Sequence, residues 1–98
     1  MVTYHVKLRD KFTLEDESTT SIKKARLIAC SAIRKSKYTT QAMIVTMNRK
    51  GGTYLNVIED VWRDAKGKQY FTQVAEPHNN TFSWGRINTK TGEVEWVN

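Results

Sequence analysis

The 98-residue chain has one cysteine, one proline and no apolar run longer than the four residues Ala42 to Val45. A lone Cys30 cannot close an internal disulfide. That excludes the disulfide-stapled secreted class and leaves the hydrophobic core to hold the fold, so a reducing, cytoplasmic setting is expected. Four apolar residues fall far short of the roughly 20 that a membrane-spanning helix needs. The first ten residues, Met-Val-Thr-Tyr-His-Val-Lys-Leu-Arg-Asp, lack the basic start, apolar stretch and small-residue cleavage site of a signal peptide. Without export, the glycosylation match Asn79-Asn80-Thr81 carries no weight.

Catalytic and metal-binding patterns are scarce as well. The two histidines, His5 and His78, are far apart in sequence and have no ligand partner at motif spacing. Cys30 lies on a helical wheel beside Lys23 and Arg34, which would activate a thiol only if the three were exposed together. Lys50-Gly51-Gly52-Thr53 lacks the spacing of a phosphate-binding loop and reads as a turn. Glu59 and Asp60 are neighbours on a strand, so they point to opposite faces and do not form an acid and base pair. Glu93 and Glu95 share a face of a terminal strand, where carboxylates are ordinary edge protection. No enzyme activity, metal, cofactor or small-molecule ligand is expected.

The last absence is of negative charge. Between Ser18 and Lys50 there is no Asp or Glu, against eight basic residues: Lys23, Lys24, Arg26, Arg34, Lys35, Lys37, Arg49 and Lys50. The chain's net charge of +6 is therefore lopsided, with +7 in residues 1–50 and −1 in residues 51–98.

An apolar share of 39% with 27% charged residues is a folding composition, and the length predicts one domain, residues 1–98. Val2, Tyr4, Val6 and Leu8 alternate with polar residues, the period of a strand with one buried face. A short second strand carrying Phe12 and Leu14 is expected next, then a polar connection from Glu15 to Ser21. From about residue 21 to 37 the apolar residues Ile22, Ala25, Ile28, Ala29, Ala32 and Ile33 fall within one arc of a wheel, predicting an amphipathic helix on a sheet. Ala42 to Met47 is apolar on nearly both faces, as a central strand would be. Asn48 to Gly52 reads as a hairpin connection. Thr53 to Trp62 has conflicting alternation, which calls for a bulge or strong bend near Glu59 and Asp60. Turn residues at 64–68, 76–80 and 88–92 then divide the rest into three strands, 69–75, 81–87 and 93–97. The predicted fold is α+β: one principal helix packed on an antiparallel, strand-rich sheet that ends in a meander, its last strands open on one face or curled like part of a barrel.

On the wheel Lys23, Arg26, Arg34 and Lys37 share one flank of the helix, and Lys24 and Lys35 line the other. That flank, with the hairpin tip Arg49-Lys50 and the pair Trp62-Arg63, is the candidate nucleic-acid surface, because basic groups meet phosphates and exposed rings stack bases. Trp84 reads as a core residue alternating with Phe82, and Trp62 as either core or platform. Basic residues at a helix C-terminus also complement its dipole without any ligand. Neither an aromatic ribonucleoprotein motif, a GxxG loop nor a helix-turn-helix is present. The alternative is a protein-interaction module or small inhibitor, homodimeric through an uncovered sheet face or an edge strand, with the basic face serving solubility or an acidic partner.

Overall fold

The computed structural model describes residues 2–47, 55–74 and 83–97. The hairpin tip with Arg49 and Lys50, the loop with His78, the sequon and Phe82 lie outside the described residues. One helix, α1 (Ile22–Lys35), packs on a seven-stranded antiparallel sheet, so the fold is α+β. The strands are β1 (Tyr4–Leu8), β2 (Ser18–Thr19), β3 (Gln41–Met47), β4 (Leu55–Arg63), β5 (Tyr70–Val74), β6 (Trp84–Ile87) and β7 (Val94–Trp96), in the spatial order β2-β1-β3-β4-β5-β6-β7. From β3 onward each strand pairs with the next in sequence, which is the expected meander. Among the described residues no helix is long and apolar enough to cross a membrane.

The β1 alternation holds over Tyr4–Leu8, whereas Val2, expected on the buried face, precedes the strand and is exposed. Val6 and Leu8 face the helix opposite Ile44 and Ala42 of β3, and with Ala25, Ala29, Ile33 and Val61 they form the core. The alanines on the helix underside let its axis come close to the sheet, because little side-chain volume separates them. Removing a large apolar group here, as in Leu8→Ala, would cost about 2–5 kcal/mol.

The helix is shorter than the expected 21–37 at its C-terminal end. Ser21 caps its start by accepting from the Lys24 amide at 3.3 Å. Ser36 ends it two residues early. Its backbone is extended, with φ −82° and ψ 138°, and its hydroxyl accepts from the amides of Tyr38 (3.3 Å) and Thr39 (3.1 Å), drawing the chain out of the helical path.

The strand expected around Phe12 and Leu14 does not form. Residues 9–17 make a turn, with the Lys11 amide bonding Leu8 O and the Glu15 amide bonding Val6 O, and Phe12 is fully exposed. The strand that pairs with β1 is Ser18–Thr19 instead, inside the segment read as a polar connection. Only two residues are needed there, so no apolar pattern marks it.

The bulge expected in β4 is present. Val45 pairs with Val57 and Ile44 with Glu59, so Ile58 is the extra residue. It shifts the phase of the strand. Val57 lies on the face away from the helix, whereas Glu59, Val61 and Arg63 face the helix side. Asp60 and Trp62 point the other way, and this resolves the conflicting alternation in the sequence.

The later strands curl toward the helix. The β6–β7 turn reaches the helix start so closely that a methyl group on Gly92 would run into the Lys23 carbonyl, and Gly92 also has a φ of 78°.

Candidate nucleic-acid interface

The curl of the sheet decides the fate of the predicted basic flank. Arg26 does not join a solvent face: it is only 8% exposed and forms a bidentate pair with Glu59, Nε to Oε1 at 2.9 Å and Nη2 to Oε2 at 2.7 Å. Its Nη1 donates to the Gly92 carbonyl at 3.0 Å, and Thr72 Oγ1 donates to the same carboxylate at 2.8 Å. The Trp96 ring, 5.8 Å from the guanidinium carbon, covers the group from the β7 side. This network ties α1 to β4, β5 and the last turn. It is structural, and it removes the central charge from the predicted surface.

The rest of the flank is mostly engaged too. Lys23 reaches Glu93 at 3.5 Å, and Arg34 lies 5.7 Å from the centre of the Tyr70 ring. Lys37 is exposed beyond the helix end, and Lys24 and Lys35 are exposed on the other flank. Trp62 and Arg63, neighbours in sequence, fall on opposite faces of β4, so they do not act as one element; both are half-buried. Arg49 and Lys50 lie outside the described residues. Cys30 is buried, and burial pushes its thiol up to about 11 against the lowering influence of Arg34, so it is not the activated thiol its wheel position allowed for.

The feature missed in the sequence is on the opposite face of the sheet. Register and alternation place His5 and Lys7 of β1, Met43 of β3, Asp60 and Trp62 of β4, Phe71 and Gln73 of β5, Trp84 and Arg86 of β6 and Glu95 of β7 there. Among the described residues no helix covers it, although Val45 of β3, on the same face, is fully buried. Trp62 stacks on Phe71, with ring centres 5.7 Å apart and planes 22° off parallel. Phe71 meets Trp84 at 6.2 Å in a tilted contact. The three rings form a continuous row across three adjacent strands. Trp84, expected in the core, is 40% exposed.

Beside Trp62 the face dips into a recess of about 250 Å³ lined by Arg9, Gln41, Met43, Asp60, Val61 and Gln73. Arg9 Nη1 donates to Gln41 Oε1, which fixes the guanidinium at one wall. Burial raises the Asp60 carboxyl above the ordinary carboxylate range, and the charge of Arg9 works against that shift.

The recess opens toward an end of the sheet whose connections carry both signs of charge. The Arg9 amide bonds Gln41 O and the Arg63 amide bonds Thr40 O, bringing the 9–17 and 36–40 connections and the 64–69 turn together. Exposed Lys11, Lys37, Lys66 and Lys68 lie on these connections, with the exposed rings of Phe12 and Tyr38. Of the five acids on the same connections, Glu15 is 3.5 Å from Lys11 and Asp64 Oδ1 accepts from the Lys68 and Gln69 amides, while Asp10, Asp16 and Glu17 are exposed.

Rings beside fixed donors, an acceptor and nearby lysines are the chemistry of stacking and hydrogen bonding to bases, with phosphates held at the rim. Among the described residues no group of three or more His, Cys, Asp or Glu side chains is placed to hold a metal ion. Compared with known families, curated proteins and solved structures, the chain matches no family model, no curated protein and no solved structure.

Proposed function

We propose that the protein binds single-stranded nucleic acid across the sheet face opposite the helix. The observation that carries this reading is the row Trp62–Phe71–Trp84 on that face. Each ring that stacks on a base contributes about 1–3 kcal/mol, whatever the base, and a duplex keeps its bases stacked inside and out of reach. Charge supports the same partner only through the chain as a whole. The face itself is nearly balanced, with Arg86 held by Glu95 at 2.9 Å, and the adjoining connections carry exposed Lys37, Lys66 and Lys68 beside exposed Asp10, Asp16 and Glu17, in a chain of net charge +6. Phosphates at that rim would release counterions, so affinity falls as salt rises. The basic helix flank serves the fold first, since Arg26, Lys23 and Arg34 already have partners within the chain.

Fluorescence anisotropy with labelled single-stranded 12-mers and their duplexes, across a salt series, tests the proposal. Single strands should bind tighter than duplex, quench tryptophan emission, and lose about tenfold or more in affinity with Trp84→Ala. No single-strand binding at low salt, or equal duplex binding that Trp84→Ala leaves unchanged, overturns it. A second reading has one observation in its favour: Met47 and Trp84 are both exposed on this face, a pairing also suited to a homodimer or another protein partner. Light scattering that finds a dimer, dispersed by Trp84→Ala and indifferent to oligonucleotide, would establish that reading in place of the first.

A further inference from the structure

Resting on the single-strand reading, we propose that the recess beside Trp62 is a base-specific subsite and that the base it takes is guanine. The recess, about 250 Å³, sits at the end of the aromatic row, so a base entering it stays in line with bases stacked on the rings. Its walls are polar in a particular arrangement. Among the described residues neither the half-buried Asp60 carboxylate nor the Gln73 amide has a hydrogen bond or ion pair, although Asp60 is drawn partly out of water. A desolvated carboxylate is stabilised most by two parallel donors. Arg9 holds the oxygen of Gln41, which leaves that amide's N–H groups available as donors, alongside the rest of the guanidinium.

The four bases differ in what they would present to such a wall. Guanine alone has two adjacent donors on its Watson–Crick edge, N1–H and the N2 amino group, spaced to meet both oxygens of one carboxylate. Its O6 and N7 are acceptors, suited to Arg9 and the glutamine amides. Adenine and cytosine pair one donor with a ring-nitrogen lone pair that would face the carboxylate. Uracil offers one donor flanked by two carbonyls. Each of the three leaves an acceptor opposed to an acceptor in a partly desolvated site, which is the costly error. Trp62 supplies stacking for any base, so the selectivity falls to Asp60 with Arg9, Gln41 and Gln73.

The test uses the intact protein and fluorescein-labelled 8-mer oligouridylates that carry one central guanine, inosine, adenine or cytosine. Guanine should bind about five- to hundredfold tighter than adenine or cytosine, the range a good bidentate contact provides. Inosine, which lacks only the N2 amino group, should lose most of that advantage. Asp60→Asn should bring guanine to the level of adenine without weakening the all-uridine strand, whose carbonyls no longer face a carboxylate. The inosine comparison is made on unaltered protein, so it stands even if a variant folds poorly. If all strands bind equally and Trp84→Ala still weakens them, the subsite is wrong and the single-strand reading survives. If no strand binds, both fall.

Discussion

The two faces of the sheet treat polar groups in opposite ways. On the helix side the charges drawn inward are matched within the chain: Glu59 meets Arg26 and Thr72, Arg26 also meets Gly92 O, and Trp96 covers the group. On the other side a half-buried acid, Asp60, has no partner in the described residues, and three rings lie in a row with Trp84 partly in water. A completed network holds a fold, whereas polar groups left waiting beside exposed rings are what a ligand site needs. Substitutions on the first face should therefore read out as stability, and substitutions on the second as binding.

The largest effect should come from breaking the buried pair. Glu59→Ala or Arg26→Ala leaves an uncompensated buried charge and should lower unfolding free energy by about 3–5 kcal/mol in urea titrations. The double replacement Arg26→Met with Glu59→Leu should recover much of that loss, because a well-packed apolar pair avoids the desolvation cost. A double variant as unstable as the singles would show that the charges do more than match each other. Gly92→Ala comes next. It combines a left-handed backbone with a steric conflict at the Lys23 carbonyl, and should cost at least about 1–2 kcal/mol by the same measurement.

On the open face the pattern should invert. Trp84→Ala should lower stability by about 1–2 kcal/mol, less than breaking the buried pair because the ring is partly solvated, while removing stacking energy of about 1–3 kcal/mol from single-strand binding. A large loss of stability from this change would mean that the row is core and would erase the contrast between faces. The smallest effect is expected from Asp60→Asn. The folded protein holds the Asp60 proton more tightly than the unfolded chain does, so this residue's contribution falls as pH rises from the ordinary 3.8 through the raised value. At neutral pH the asparagine variant should be slightly more stable, within about 0.5 kcal/mol, and the difference should vanish as pH falls toward 3.8. Urea midpoints at the two pH values check it; an advantage that grows in acid contradicts the assignment.

Much of this architecture was legible in local pattern. The alternation of β1, the apolar arc of α1, the turn residues of the C-terminal meander and even the need for a bulge in β4 follow from side-chain periodicity. The candidate site was less legible. On a wheel Arg26 belongs with Lys23, Arg34 and Lys37, but it borders the apolar arc, and the fate of a border residue depends on what lies across from it. Here Glu59 and the curled β6–β7 turn lie across. A signal existed in Glu59, which with Asp60 interrupts the apolar run Val57, Ile58 and Val61 of a strand and so places one acid on each face. Its partner, 33 residues away, could not be read from spacing. The aromatic row failed to show for a related reason. Trp62, Phe71 and Trp84 come from three strands, and a single inserted residue, Ile58, sets which face Trp62 takes relative to the first half of its strand.

The sequence by itself determined the helix, most of the strands, the α+β class and the excess of positive charge in the N-terminal half, because periodicity, turn chemistry and charge are local properties, whereas the two-residue β2 is set only by its pairing with β1. Tertiary structure decided which charges remain available and which rings meet, because sheet register, the β4 bulge and the curl of the last strands bring together residues that no local pattern relates. Arg26 was drawn out of the basic helix flank to stabilise the fold, leaving Lys23, Arg34 and Lys37 at the surface, and the aromatic row lies on the other side of the sheet.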